Sequence, residues 1–327
     1  MIWVTWRQHR TQALAILIGL GAIGVFTLVT GPRIAAAFRD LHACLVVPGQ
    51  DCSLLHDSFD RRFSGFQFVI PLFMVIPLLL GVFLGPPLIA REVEQGTHRL
   101  AWTQSVTRSR WAQTKIGLLA AFTLAATALF AWIVTTWSSP LVAVSDDRFG
   151  FGVFDLRGIV PIAYALFALA LGTAAGALIR KTLPAMAATL GIFVAVRVLV
   201  ELLLRPRYLP SKTISYPFLQ DSPRIGMHDW VISSTVFDPT GQFVSPDGGI
   251  RVDPMALGRL CPQLPLVSAL DKGQVGRCLS QLGVRIVDTY QPGSRYWLFQ
   301  GIESAIFLAL AAGLIVLALW VIRRRIS

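Results

Sequence analysis

The chain has 327 residues, of which 54% are hydrophobic and only 14% charged, and its mean hydropathy is +0.62. A soluble globular chain carries about 25% charged residues, so too few charges remain here to cover a water-facing surface, and the apolar excess excludes disorder. The formal net charge of +11 raises a nucleic-acid partner, a reading that depends on where the charge sits along the chain.

Crossing a hydrocarbon core of about 30 Å takes about 20 apolar residues in a helix rising 1.5 Å per residue. Six segments meet that length: residues 13–30, 66–90, 116–137, 158–179, 184–204 and 301–322. The second is long enough to span with tilt, and Pro71, Pro77 and the Gly85-Pro86-Pro87 triplet are expected to kink it or end it early. The chain reads as an all-α polytopic membrane protein with six transmembrane helices. Residues 1–204 hold the first five, with an interfacial N-terminal helix and an inside loop over 91–115. Residues 205–300 form a small mixed cap on the outside. Residues 301–327 supply the sixth span and a basic tail.

Lys and Arg set the orientation. With the N-terminus in the cytoplasm, the inside segments carry twelve basic residues against two acids, and the outside segments sixteen against fourteen. Nearly all the net charge therefore lies on one side, and the nucleic-acid reading falls away. The chain is expected to be a multi-pass protein of the cell membrane with both termini cytoplasmic.

Cys44 and Cys52 fall in the first outside loop and Cys261 and Cys278 in the last, where disulfides persist. The sequentially nearest pairing, Cys44–Cys52 with Cys261–Cys278, is one of three connectivities and is favoured because the others require distant loops to meet. A metal clip from His42, Cys44, Cys52 and His56 would depart from the C-x2–4-C spacing of zinc pairs. Arg7, Arg10 and Ala35-Ala36-Ala37 suggest a cleaved leader, but the apolar run exceeds a usual h-region, so the first span is read as retained. Gly19-x-Gly21-x-x-Gly24 matches a dinucleotide fingerprint without the strand that motif requires. Its glycines, like Gly172 and Gly176, read as helix-packing faces. No G-x-x-x-x-G-K-[ST], H-E-x-x-H or G-x-S-x-G run occurs, so no cofactor or metal is expected and the chain is not expected to be an enzyme.

Three ionisable residues fall within spans: Arg197, Glu201 and Glu303. Arg197 and Glu201 stand four apart and share a helix face. Two readings stay open: a helix-anchoring set near the outer boundary, or a polar element of a translocation path. In the inside loop, residues 99–103 and 108–115 read as short helical pieces joined by a turn. Trp102 and Trp111 supply apolar bulk while Arg99, Arg108, Arg110 and Lys115 supply charge, which suits membrane lipid headgroups or a cytoplasmic protein.

That loop carries a resemblance. The run Gly85-Pro86-Pro87-Leu88-Ile89-Ala90-Arg91-Glu92, then Glu94-Gln95-Gly96-Thr97-His98-Arg99-Leu100-Ala101-Trp102-Thr103-Gln104-Ser105, then Arg108, Arg110-Trp111 and Lys115, resembles the loop after the second span of ATP-binding-cassette (ABC) type-2 exporter permeases. Trp3-x-Thr5-Trp6-Arg7-Gln8-His9-Arg10 and the run from Tyr290 to Glu303 resemble an actinobacterial branch of those permeases. The resemblance implies a permease subunit exporting a hydrophobic or amphipathic compound, with ATP and Mg bound by a separate ABC ATPase subunit. It implies a coupling helix docking on that ATPase, with Glu92, Glu94, Gly96, Thr97, Arg99, Trp102, Arg108, Arg110, Trp111 and Lys115 as coupling positions. It also implies a second permease copy around a central path. The competing reading is a membrane sensor or assembly protein whose outer cap binds a ligand.

Overall fold

A computed structural model describes residues 2–96, 107–145, 148–150, 152–217, 229–237, 243–245, 277–278 and 280–325. The chain divides into two units, one of residues 1–145, 150–202 and 298–327 and another of residues 146–149 and 203–297.

The first unit is helical: α1 (Ile2–Leu45), α2 (Ser53–Phe63), α3 (Val69–Glu94), α4 (Arg108–Ser145), α5 (Val153–Leu156), α6 (Val160–Ile179), α7 (Thr182–Leu199) and α8 (Tyr296–Arg325), the last beginning just before the unit boundary. Six helices among the described residues are long and apolar enough to cross a membrane. The expected number of spans stands, but several bounds change. The N-terminal dodecapeptide is not a separate interfacial helix; it is continuous with the first span, and α1 runs through Pro32 to Leu45. Residues 108–115 are the first two turns of α4 rather than a free piece, and 99–103 lie outside the described residues.

The expected early end of the second span is also corrected. A five-residue 3-10 turn precedes α3, which then passes through Pro77, Pro86 and Pro87 to Glu94. Its neighbour explains why. A Cβ on Gly81 would lie 2.2 Å from the Ala168 Cβ, and one on Gly85 would lie 2.7 Å from the Leu169 carbonyl oxygen. Conversely, a Cβ on Gly172 would meet the Pro86 ring at 2.4 Å and one on Gly176 the Pro86 carbonyl at 2.7 Å. Glycines on both helices let the backbones touch, as small residues do in lipid, and the proline ring fits where Gly172 has no side chain. The small-residue face expected on Gly172 and Gly176 thus exists, and α3 occupies it. Apolar all round, α6 is buried along most of its length, whereas α1 turns most of its apolar surface outward.

On the far side of the bundle from Glu94, Phe26, Phe66, Phe73 and Trp137 form an aromatic knot, and the Trp137 Nε1 donates to the Thr30 hydroxyl at 2.8 Å. The expected Cys44–Cys52 disulfide is present, with Cα atoms 6.0 Å apart, and ties the end of α1 to the start of α2. Between them the Asp51 carboxylate accepts the Ser53 N–H at 2.9 Å, which holds it below the usual carboxylate range. Cys278 is disulfide-bonded, while Cys261 lies outside the described residues.

The second unit carries an antiparallel sheet in the order β1-β4-β2-β3, from β1 (Lys212–Pro217), β2 (Trp230–Phe237), β3 (Phe243–Ser245) and β4 (Arg285–Gln291). The strand-like runs of the sequence, Trp230–Phe237 and Val284–Thr289, coincide with β2 and most of β4. Asp288 on the central strand is buried and accepts the Tyr216 hydroxyl at 2.7 Å and the Ser234 hydroxyl at 2.5 Å, satisfying a carboxylate that would otherwise be costly inside a sheet.

Candidate functional site

Several helix ends meet at one end of the first unit. The Glu94 carboxylate at the end of α3 accepts the backbone N–H and hydroxyl of Thr182, at 3.2 and 2.8 Å. It thereby places an anion at the N-terminus of α7, where the helix dipole favours one. Arg323 near the end of α8 donates to the Ser109 hydroxyl at the start of α4, at 2.7 Å. Five segments that the sequence placed on one side of the membrane (the early turns of α1, the ends of α3 and α8, the start of α4 and the α6–α7 turn) carry the exposed Arg7, Arg10, Arg91, Arg110, Arg180, Lys181, Arg323 and Arg324. This is a basic end.

Local sequence explains the termini there. Gly96 follows α3 with φ of +70°, a left-handed conformation that glycine adopts without penalty, and its N–H returns to the Val93 carbonyl at 3.3 Å. Thr107 caps α4: its hydroxyl accepts the Arg110 N–H at 3.3 Å and its carbonyl the Trp111 N–H at 3.0 Å. The expected coupling residues divide three ways. Glu94, Gly96 and Arg110 are exposed. Glu92, Trp111 and Lys115 point inward: Lys115 is 2% exposed, pairs with Glu92, and holds its ammonium 4.9 Å from the Trp111 ring centroid. The expectation that Trp111 and Lys115 face headgroups or a partner is therefore corrected, because α4 continues as a helix and packs both against α3. Thr97, Arg99, Trp102 and the Arg108 side chain lie outside the described residues.

A second polar group lies within the bundle. Arg197 on α7 donates to Glu201 at 3.0 Å, the four-residue pair expected from sequence, and also pairs with Asp155 on α5. Its guanidinium lies 4.8 Å from the centroid of the Tyr164 ring. The Tyr164 hydroxyl contacts Asp155 at 3.3 Å and Glu303 on α8, which is fully buried. Gln300 sets this arrangement: its Oε1 accepts the Ile159 and Val160 N–H groups at 3.1 Å while its Nε2 donates to the Phe154 carbonyl at 2.8 Å. One side chain of α8 thus caps α6 and orients α5, which carries Asp155. Phe307 packs edge-on against Tyr164 at 4.7 Å. The geometry is that of a clamp joining four helices. Arg197, Glu201 and Glu303 were legible in the sequence, but Asp155, Tyr164 and Gln300 were not. The signal available for Asp155 was its apolar setting, Val153-Phe154-Asp155-Leu156.

Among the described residues, no group of three or more His, Cys, Asp or Glu side chains could hold a metal ion. A family model described as ABC-2 membrane transporter related matches residues 17–205, more than half of the chain. No curated protein and no solved structure matches.

Proposed function

Because the chain belongs to the ABC-2 membrane transporter related family, we propose that it is the membrane-spanning subunit of an ABC exporter driven by a separate ATPase subunit. The family match is the observation that carries this reading. The basic end adds a physical reason: the α3–α4 connection begins at Glu94, and Glu94 also holds the start of α7. A motor gripping this connection would act on α3, α4 and α7 together. If it docks differently in its two nucleotide states, it shifts the balance between inward-open and outward-open forms by that difference in affinity.

In this reading the basic end faces the cytoplasm of the cell membrane and both termini are cytoplasmic. Glu94, Gly96 and Arg110 touch the ATPase, together with the loop that holds Thr97, Arg99, Trp102 and Arg108. Glu92, Trp111 and Lys115 act through the placement of α4. ATP and Mg belong to the partner. The cargo is a hydrophobic or amphipathic compound, and the segment between the fifth and sixth spans lies outside, with Cys261–Cys278 as its staple. A second permease copy pairs through a face other than the Gly172–Gly176 face, which α3 already covers.

Purification in mild detergent tests the reading. An ATPase chain with Walker motifs should co-elute, and Arg110→Glu should reduce the ATP-driven uptake of a hydrophobic dye into inverted vesicles at unchanged expression. Absence of any such ATPase, or uptake indifferent to ATP, would refute it.

A further inference from the structure

Two cavities between α1 and α3 meet at one side chain. At the basic end, a cavity of about 170 Å³ with mixed walls is bordered by His9, Gln12, Pro87, Leu88, Arg91, Glu92 and Gln95. Beyond it an apolar groove of about 400 Å³ runs between Ile16, Gly19, Leu20 and Ile23 of α1 and Ile76 and Phe83 of α3. Gln12 borders both. Its Nε2 donates to the Phe83 carbonyl at 3.2 Å, which leaves Oε1 buried and without a hydrogen-bond partner among the described residues. No described residue satisfies that acceptor, so a donor that enters the cavity has a place to bind.

The dimensions and charges match one kind of occupant. From Gln12 to Ile23, α1 advances about 16 Å at 1.5 Å per residue, close to half of a hydrocarbon core of about 30 Å. The groove therefore has the depth of one leaflet, with its polar mouth at the basic end. Glu92 at the mouth is engaged by Lys115, and the exposed Arg91 stands beside it. Arg7 and Arg10 add positive charge on the same turns of α1. At Gly19 an added Cβ would meet nothing within 4 Å, so the groove wall is open there.

We propose that this groove is a binding site for one glycerophospholipid of the leaflet on the basic side. Arg91 takes the phosphate, a hydroxyl or amine of the headgroup donates to Gln12 Oε1, and one acyl chain lies along Ile16–Ile23. The site requires only that the chain span a membrane, so it stands or falls separately from the ATPase reading.

Native mass spectrometry of the full chain, purified in mild detergent and incubated with phosphatidylglycerol, tests it. One phospholipid should remain bound under activation that strips the rest. Gly19→Phe fills the groove and should cut this retention by about tenfold or more. Gly313→Phe, at an equally open position on α8, should leave it intact. Arg91→Ala, a change at an exposed side chain that does not threaten folding, should weaken retention of phosphatidylglycerol but not of diacylglycerol, which has no phosphate. The proposal fails if no lipid outlasts the others, if the two phenylalanine variants behave alike, or if Arg91→Ala affects both lipids equally.

Discussion

Replacing Lys115 with methionine removes a cationic partner of the Glu92 carboxylate inside the basic end of the bundle. The two side chains are 3% and 11% exposed, and removing one partner of a buried pair costs about 3–5 kcal/mol. Glu92 also borders the cavity of about 170 Å³, where water can relieve part of the charge, so the lower end, about 3 kcal/mol, is expected. The ammonium also leaves the Trp111 ring, 4.9 Å away, which adds about 0.5–1 kcal/mol. At about 2 °C per kcal/mol for a chain of this length, Lys115→Met should lower the unfolding midpoint by about 7–8 °C. Adding Glu92→Leu removes both charges and should bring the midpoint back to within about 2 °C of the parent, because an apolar pair of similar size replaces a buried ion pair at little cost. Tryptophan fluorescence during heating in detergent, with size-exclusion elution as a check on aggregation, reads both values. A single variant that melts with the parent, or a double variant that melts as low as the single, would refute the reasoning.

Arg197→Met should destabilise the chain by about 3 kcal/mol, since it removes a cationic partner of the buried Asp155 while Glu201 keeps partial access to solvent. Arg197→Lys should recover only part of that loss in the same melting assay, because a point charge cannot serve two carboxylates as a planar fork does. Gly81→Ala puts a methyl group 2.2 Å from the Ala168 Cβ and 2.5 Å from its carbonyl carbon. It should cost about 2–3 kcal/mol of overpacking, against a helix-propensity gain of about 1 kcal/mol. Gly313→Ala, with open space around it, should melt at or above the parent. Reducing Cys44–Cys52, whose members are 8 residues apart, should cost about 2.5 kcal/mol by loop entropy, read as faster amide hydrogen exchange within α2.

The six spans were legible because hydropathy over about 20 residues is a property of local sequence. The persistence of α3 through Pro86 and Pro87 was not, because it depends on glycines in α6 more than eighty residues away. Likewise, Trp111 and Lys115 look like an amphipathic surface when the loop is read alone; only the packing of α4 on α3 turns them inward. The Arg197–Glu201 pair followed from helical spacing. Asp155 did not, since a four-residue helix has no periodicity to reveal which way its acid points. In the second unit, the strand-like run Trp230–Phe237 was readable as β2, whereas β1 ends on Pro217 and shows little burial pattern.

The glycine contacts between α3 and α6 bear on motion. Two backbones in direct contact have no layer of side chains to shear, so the pair should travel as one stiff lever. Its longer arm, the 26 residues of α3, measures about 39 Å. A push delivered at Glu94 would arrive at the opposite membrane face with little lost on the way, and any bending has to be taken up elsewhere. The stretch Val200–Leu204, where the α-helical ladder gives way to a wider π turn, is the joint best suited to yield.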